Sequence, residues 1–347
     1  MKLSPGKYTG IRRLAGGDGR FCMTAVDQRP PIFNRICEKR GTKQPPDEDV
    51  RAVKRMLVEV LAPHSTALLL DPIHALPAAM DAVSPRQGLI HTLERHDFED
   101  TADGRLSHAI ANWSVEKIKR AGGDGVKVLA WYRPDGPSVG TSHQQRFVKA
   151  IGTACRKFDL PFVLELLLYP LDSDRDQTKD YVEQPNKRPE LVVESVATFA
   201  DPAYGVDLFK LESPLPATNL PDPGSDQGEV QTWFNKLDRA AGRPWVVLSA
   251  GATKDAFRRV VTYAYRAGAS GYLAGRAIWW DAFQAFPDMA AMRDGLVHGS
   301  VDYMRELNAM TADQARPWFD HPGYGGAGIG IQGSEGSIAA SYRGFDA

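Results

Sequence analysis

Residues 113–132 read WSVEKIKRAGGDGVKVLAWY. Ser114–Ala121 carries helix formers behind a capping residue, Gly122-Gly123 can take the left-handed conformation that ends a helix, and Gly125–Tyr132 is an apolar run of strand length. Helix, glycine, strand is the joint of a βα repeat, and Ala267-Gly268-Ala269 repeats it further along the chain. Seven further strand-length runs fall at Phe21–Val26, Thr66–Leu70, Gly88–Leu93, Phe162–Tyr169, Val206–Leu211, Trp245–Ala250 and Gly271–Ala274. Between them the spacing predicts helices over Asp49–Leu61, near Leu76–Met80, and over Ser142–Phe158, Pro189–Ala200, Gly228–Ala241, Lys254–Ala267 and from Asp281 onward. Eight such repeats imply an α/β protein, a (β/α)8 TIM barrel rather than an open doubly wound sheet. Residues 1–320 are read as one barrel domain. Residues 321–347 hold eight glycines in 27 positions and are expected to be a mobile C-terminal tail. The proline-rich stretch Pro214–Gly228 is expected to be a rim loop.

Composition narrows the function classes. Lys and Arg number 42 against 43 Asp and Glu, so no global positive field favours a nucleic-acid partner. At 43% hydrophobic and 24% charged the chain falls among folded soluble proteins rather than disordered ones. Cys22, Cys37 and Cys155 are odd in number and lack CxxC spacing, which argues against a disulfide framework or a zinc knuckle and for a reducing, cytoplasmic compartment. The first residues lack an apolar core of the export type and the longest apolar runs are only strand-length, so neither export nor membrane insertion is expected. Homo-oligomerisation stays open.

In a barrel of this kind chemistry collects at the C-terminal ends of the strands. Those ends read AVDQR (Asp27, Gln28, Arg29), LLLDP (Asp71), GVKVLAWY (Lys127), FVLELLLYP (Glu165), DLFKLESP (Lys210, Glu212), SAG (Ser249 to Gly251) and AGR (Gly275, Arg276). Lys127, Glu165 and Lys210 are each flanked by apolar strand residues, where an unpaired charge costs several kcal/mol (about 2–7 for a merely polar group) and requires a partner. Strand alternation puts Lys210 and Glu212 on one face; if that face is the lumen, they meet Glu165 and Lys127. A lysine beside a second cation is pushed toward the neutral, nucleophilic amine. Structural ion pairing inside the barrel is the competing reading. Ser249-Ala250-Gly251 and Gly275-Arg276 fit an anion cradle of backbone N–H groups and one guanidinium on the last two strands. His91 and His96 are not spaced as metal ligands, and neither a metal nor a cofactor is expected. Trp279-Trp280 with Phe283 reads as helix packing.

With these motifs in order, the chain resembles the tagatose 1,6-bisphosphate aldolase family, class I aldolases on a TIM barrel that include the sulfofructosephosphate aldolases. The resemblance runs from about Gly19 to Trp280. It implies Lys210 as the Schiff-base lysine, Glu165 as an acid/base, Asp27 and Lys127 as supporting residues, and the SAG and GR motifs, with Ser249, Gly251, Gly275 and Arg276, as the phosphate site. Gln28, Arg29 and Asp71 are further candidate substrate contacts. The implied reaction cleaves a ketohexose bisphosphate, tagatose 1,6-bisphosphate first, to dihydroxyacetone phosphate and glyceraldehyde 3-phosphate, without a metal. The alternatives are 6-deoxy-6-sulfofructose 1-phosphate as substrate, a metal-dependent aldolase or isomerase, or a non-catalytic barrel that senses sugar phosphates. The segment IHTLERHDFEDTADGR (residues 90–105) and the tail from His321 lie outside the resemblance.

Overall fold

A computed structural model describes residues 2–102, 104–171, 174, 184–224, 228–324, 329–333, 336–342 and 344. The rest of the expected tail and residues 225–227 of the Pro214–Gly228 loop lie outside the described residues. Eight parallel strands close into a barrel: β1 (Phe21–Ala25), β2 (Ala67–Leu70), β3 (Gly88–Thr92), β4 (Gly125–Trp131), β5 (Phe162–Leu167), β6 (Leu208–Leu211), β7 (Trp245–Val247) and β8 (Gly271–Ala274). They follow one another around the ring in chain order, and β8 returns to β1 in the register Gly271↔Phe21 to Ala274↔Thr24. The TIM barrel expected from the sequence is therefore the fold.

The helices are α1 (Pro5–Leu14), α2 (Pro30–Arg40), α3 (Asp47–Leu61), α4 (Ala75–Ala79), α5 (Val115–Arg120), α6 (Ser138–Lys157), α7 (Pro189–Phe199), α8 (Gly228–Ala241), α9 (Lys254–Ala267), α10 (Arg276–Phe283), α11 (Met289–Gly295) and α12 (Val301–Gln314). The sequence reading did not anticipate α1 and α2. Helix α1, PGKYTGIRRL, has a weak apolar stripe because Gly6 and Gly10 sit where backbone passes close. A Cβ on Gly10 would lie 2.5 Å from the Asp124 carbonyl oxygen.

Alternation along the strands divides the interior in two. On β5, Phe162, Leu164 and Leu166 face the helices and join the large outer core, while Val163 joins the lumen core. The lumen core continues through Met23, Leu69, Ile90, Leu208, Val246 and Leu273, with Ile11 and Leu14 of α1 closing its lower end. Above it, Glu165 takes the next inward position of β5 and Leu167 the one after. A charged layer is thus set between an apolar floor and an apolar wall of Leu129, Leu167 and Leu248.

The floor draws in the glycine-rich stretch. Gly330–Ile331 pairs in parallel with Lys2–Leu3, and Tyr324 is fully buried with its hydroxyl donating to the Asp207 carbonyl oxygen at 3.0 Å. The Tyr342 hydroxyl donates to Asp159. These contacts tie part of the stretch to the barrel rather than leaving it free. Between β3 and α5 the chain also forms an antiparallel hairpin, Glu99–Thr101 with Gly104–Leu106.

Candidate active site

The C-terminal mouth of the barrel holds a cleft of about 660 Å³. At its base, Lys127 Nζ is surrounded by three carboxylates: Glu94 Oε1 at 2.6 Å, Glu165 Oε2 at 2.8 Å and Asp27 Oδ2 at 3.0 Å. Lys210 Nζ donates to Glu165 Oε2 at 2.9 Å, so one carboxylate oxygen receives both amines. Thr92 Oγ1 donates to Asp27 Oδ2 at 3.0 Å, and Arg29 donates to the Glu94 carbonyl oxygen at 3.1 Å. Each of these groups is buried. Formally three acids, Asp27, Glu94 and Glu165, face three bases, Lys127, Lys210 and Arg29, which is how so many charges are tolerated in a low-dielectric lumen.

Burial works against the Lys127 ammonium, but Asp27, Glu165 and Glu94 overcome it and raise its pKa well above the ordinary value. Burial likewise opposes the charged forms of Asp27 and Glu165, yet the nearby lysines hold both carboxyls below the usual carboxylate range. Glu94 goes the other way: burial pushes its carboxyl up against the pull of Lys127 and Arg29. The arrangement therefore keeps a proton on Lys127 and two carboxylates ionised beside it.

The second part of the cleft lies at β7 and β8. Ser249, Ala250, Gly275 and Arg276 line it, with Gly251 one residue outside the lining. Ala250 and Gly251 have φ of +45° and +84°, and the Ala252 N–H returns to the Ser249 carbonyl oxygen at 2.7 Å. A left-handed alanine costs roughly 1–3 kcal/mol, which the surrounding structure has to offset. Gly275 precedes α10, and a Cβ there would lie 2.6 Å from Gln28 Nε2 and 2.7 Å from the Ala25 carbonyl oxygen. Only glycine fits this close approach. Gln28 and Arg29 also line the cleft.

Two acids singled out in the sequence lie elsewhere. Asp71 is fully buried outside the cleft, paired with Lys54 of α3, and its Oδ1 accepts the backbone N–H groups of Ile73 and His74 at 3.1 and 2.8 Å. Glu212 accepts Lys187 Nζ at 3.0 Å and the Leu168 N–H at 2.9 Å. In both cases the strand ends one residue earlier, at Leu70 and Leu211, so alternation no longer fixes where the side chain points. Glu94 is the reverse. The sequence reading did not single it out, although Ile90, Thr92 and Glu94 continue the alternation of β3; an isolated antiparallel bridge to Ala109 keeps the chain extended there and turns Glu94 onto Lys127.

A family model described as DeoC/LacD family aldolase matches residues 22–281. A tagatose 1,6-diphosphate aldolase of Listeria monocytogenes is 30% identical over 92% of this chain and 95% of its own. One of Staphylococcus aureus is also 30% identical, over 92% and 99%. Among solved structures, an archaeal fructose 1,6-bisphosphate aldolase aligns with TM-score 0.56 at 18% identity over 88% of this chain and 98% of its own. The fructose-bisphosphate aldolase of Plasmodium falciparum aligns with TM-score 0.63 at 11% identity, over 91% and 98%. At such identities the structural likeness speaks for the barrel, whereas the family match and the relatives cover the segment that builds the cleft. The chain belongs to the DeoC/LacD family of aldolases, and it is an aldolase, a carbon–carbon lyase.

Proposed function

We propose that this enzyme is a class I aldolase that cleaves a ketohexose 1,6-bisphosphate, tagatose 1,6-bisphosphate first, to dihydroxyacetone phosphate and glyceraldehyde 3-phosphate, with Lys210 as the imine-forming residue. The observation that carries the choice of nucleophile is the unequal surroundings of the two lysines. Lys127 is enclosed by three carboxylates and kept as the ammonium, whereas among the described residues Lys210 has Glu165 alone within ion-pairing distance, shared with Lys127. Glu165 can therefore take a proton from Lys210 while Lys127 offsets the charge.

In this reading Lys210 Nζ attacks C2 of the ketose, the carbinolamine loses water, and the protonated imine becomes the electron sink. Glu165, having returned the Lys210 proton to the carbinolamine hydroxyl that left as water, removes the C4 hydroxyl proton as the C3–C4 bond breaks, the bonding pair moves into the enamine, and the aldehyde leaves. Protonation at C3 and hydrolysis of the imine then release dihydroxyacetone phosphate. Asp27 and Lys127 hold the charge state of Glu165. Ser249, Gly251, Gly275 and Arg276 bind the C1 phosphate, for which the turn at Ala250-Gly251 and the start of α10 supply N–H donors. The names of the relatives support the tagatose substrate.

Incubation with dihydroxyacetone phosphate and borohydride, followed by peptide mass spectrometry, tests the reading. Label on Lys210 is expected; label on Lys127, or none, overturns it.

A further inference from the structure

We propose that the rim hairpin Glu99–Thr101/Gly104–Leu106 is the specificity element for the distal, anionic end of the substrate, and that Arg105 is its positioning residue. The proposal rests on the sugar-bisphosphate reading of the cleft. Beyond β3 the chain stays extended: Arg95 N–H donates to the His108 carbonyl oxygen at 2.8 Å and Ile110 N–H to that of Leu93 at 2.9 Å, after which the hairpin continues the same antiparallel arm. The root of this arm carries Arg95 and His96, which line the cleft beside Arg29. In a closed ring of eight strands in chain order, β3 stands four strands from β7, across the lumen from Ser249. A ketose phosphate held at β7 and β8, with its carbonyl at Lys210 on β6, therefore extends its far end toward Arg29, toward Arg95, which Asp97 holds in an ion pair, and toward His96, whose ring burial favours the neutral form.

The arm is locked from outside the charged layer. Arg105 is 1% exposed, and its guanidinium lies 4.2 Å from the ring centre of Phe98, 4.7 Å from Trp131 and 5.8 Å from Tyr169. Away from water, ring faces of this kind attract the guanidinium and hold it among them. Asp100, its cross-strand neighbour, is 3.8 Å away. Gly104, at φ +102°, lies so close to the Tyr169 hydroxyl that a side chain would collide with it. Gln144 of α6 joins hairpin to barrel, donating to the carbonyl oxygens of Arg105 at 2.9 Å and Trp131 at 2.7 Å. Phe98, Trp131 and Tyr169 pack with Leu129, Leu167 and Leu248, the apolar wall of the cleft itself. A shift of Arg105 thus moves the root of the arm and the β4 and β5 side of the wall, Leu129 and Leu167, while Lys210 stands on β6 and the cradle on β7 and β8 meets the wall only at Leu248.

The test compares the affinities of a hexitol 1,6-bisphosphate, a hexitol 1-phosphate and a 6-sulfonated hexitol 1-phosphate by calorimetry, since none of these needs turnover. The full-length parent is expected to bind one or both doubly anionic ligands more tightly than the monophosphate, and the two dianions tell phosphate from sulfonate. In Arg105→Ala that advantage should shrink by roughly 3- to 30-fold with monophosphate affinity little changed, the scale of coupling through a packed network. Arg105→Lys, which keeps the cation in the ring cage, should restore most of it. Phe98→Ala, at a half-buried ring, should reproduce the loss should Arg105→Ala fold poorly. Equal weakening of all ligands, no change in the ratio in either variant, or a parent indifferent to the distal anion overturns the proposal. Failure of borohydride to label Lys210 bears on the Schiff-base reading instead and leaves these ratios interpretable.

Discussion

Glu165 Oε2 lies 2.8 Å from Lys127 Nζ and 2.9 Å from Lys210 Nζ, so one oxygen is within proton-transfer reach of both amines. Glu165→Gln keeps the shape but accepts no proton, and kcat should fall roughly 10²–10⁴-fold, the range for loss of a general acid/base. If Glu165 merely balanced charge, the amide would leave a modest loss and a displaced pH profile; retention of more than about a tenth of parental kcat at the variant's own optimum would favour that role. Arg276→Ala should weaken ketose phosphate binding by on the order of 2–4 kcal/mol. Equal inhibition of parent and variant by inorganic phosphate would place the cradle elsewhere. The charged layer was legible because Lys127, Glu165 and Lys210 each interrupt an apolar strand, where a charge needs a reason. Glu94 was not, since in the stretch ERHDFED a charge looks like solvent-facing loop, and only the pairing of that loop with 108–110 turns it inward.

The element that fixes the start of this layer is α3. Its Lys54 is fully buried, donates to the Val26 carbonyl oxygen at 2.9 Å, and pairs with Asp71 at the end of β2. Burial lowers the Lys54 pKa while Asp71 opposes the shift, and the same lysine holds the Asp71 carboxyl down against its own burial. The pair ties the ends of β1 and β2 one residue before Asp27. Removing one member strands the other charge, so Lys54→Met should cost about 3–5 kcal/mol in urea unfolding, and adding Asp71→Asn should recover much of it. A single variant as stable as the parent would show that water reaches the site. Sequence pattern carried all eight strands because buried parallel strands read as continuous apolar runs. It also placed the C-terminal ends of β2 and β6 at Leu70 and Leu211, but not the direction of the acids that follow, because Asp71 and Glu212 are aimed by the tertiary partners Lys54 and Lys187.

At the scale of the whole barrel, the mouth and the floor make separate demands on stability. At the mouth, Asp27 and Glu165 are held below their ordinary values of 3.8 and 4.5. Their contribution is present above those values and is lost as pH falls through the lowered folded ones, so thermal midpoints should drop on the acid side, less steeply in Glu165→Gln. A variant with the parental acid slope would mean that other carboxylates dominate acid unfolding. At the floor, Tyr324 is fully buried, and Gly330–Ile331 adds a strand to Lys2–Leu3, whose Leu3 joins the lumen core beneath the charged layer. A chain ending at Asp320 loses both, along with the contact of buried His321 with Asp238 at 3.6 Å. Emptying the Tyr324 site alone should cost about 3–5 kcal/mol, the scale for deleting a buried aromatic side chain. Because the cleft opens at the other end of the barrel, borohydride trapping at Lys210 should persist in the shortened chain well below its lowered thermal midpoint. An unchanged midpoint would show that the glycine-rich stretch adds nothing to the floor. Lost trapping in a folded, shortened chain would show that floor and mouth are coupled through the lumen.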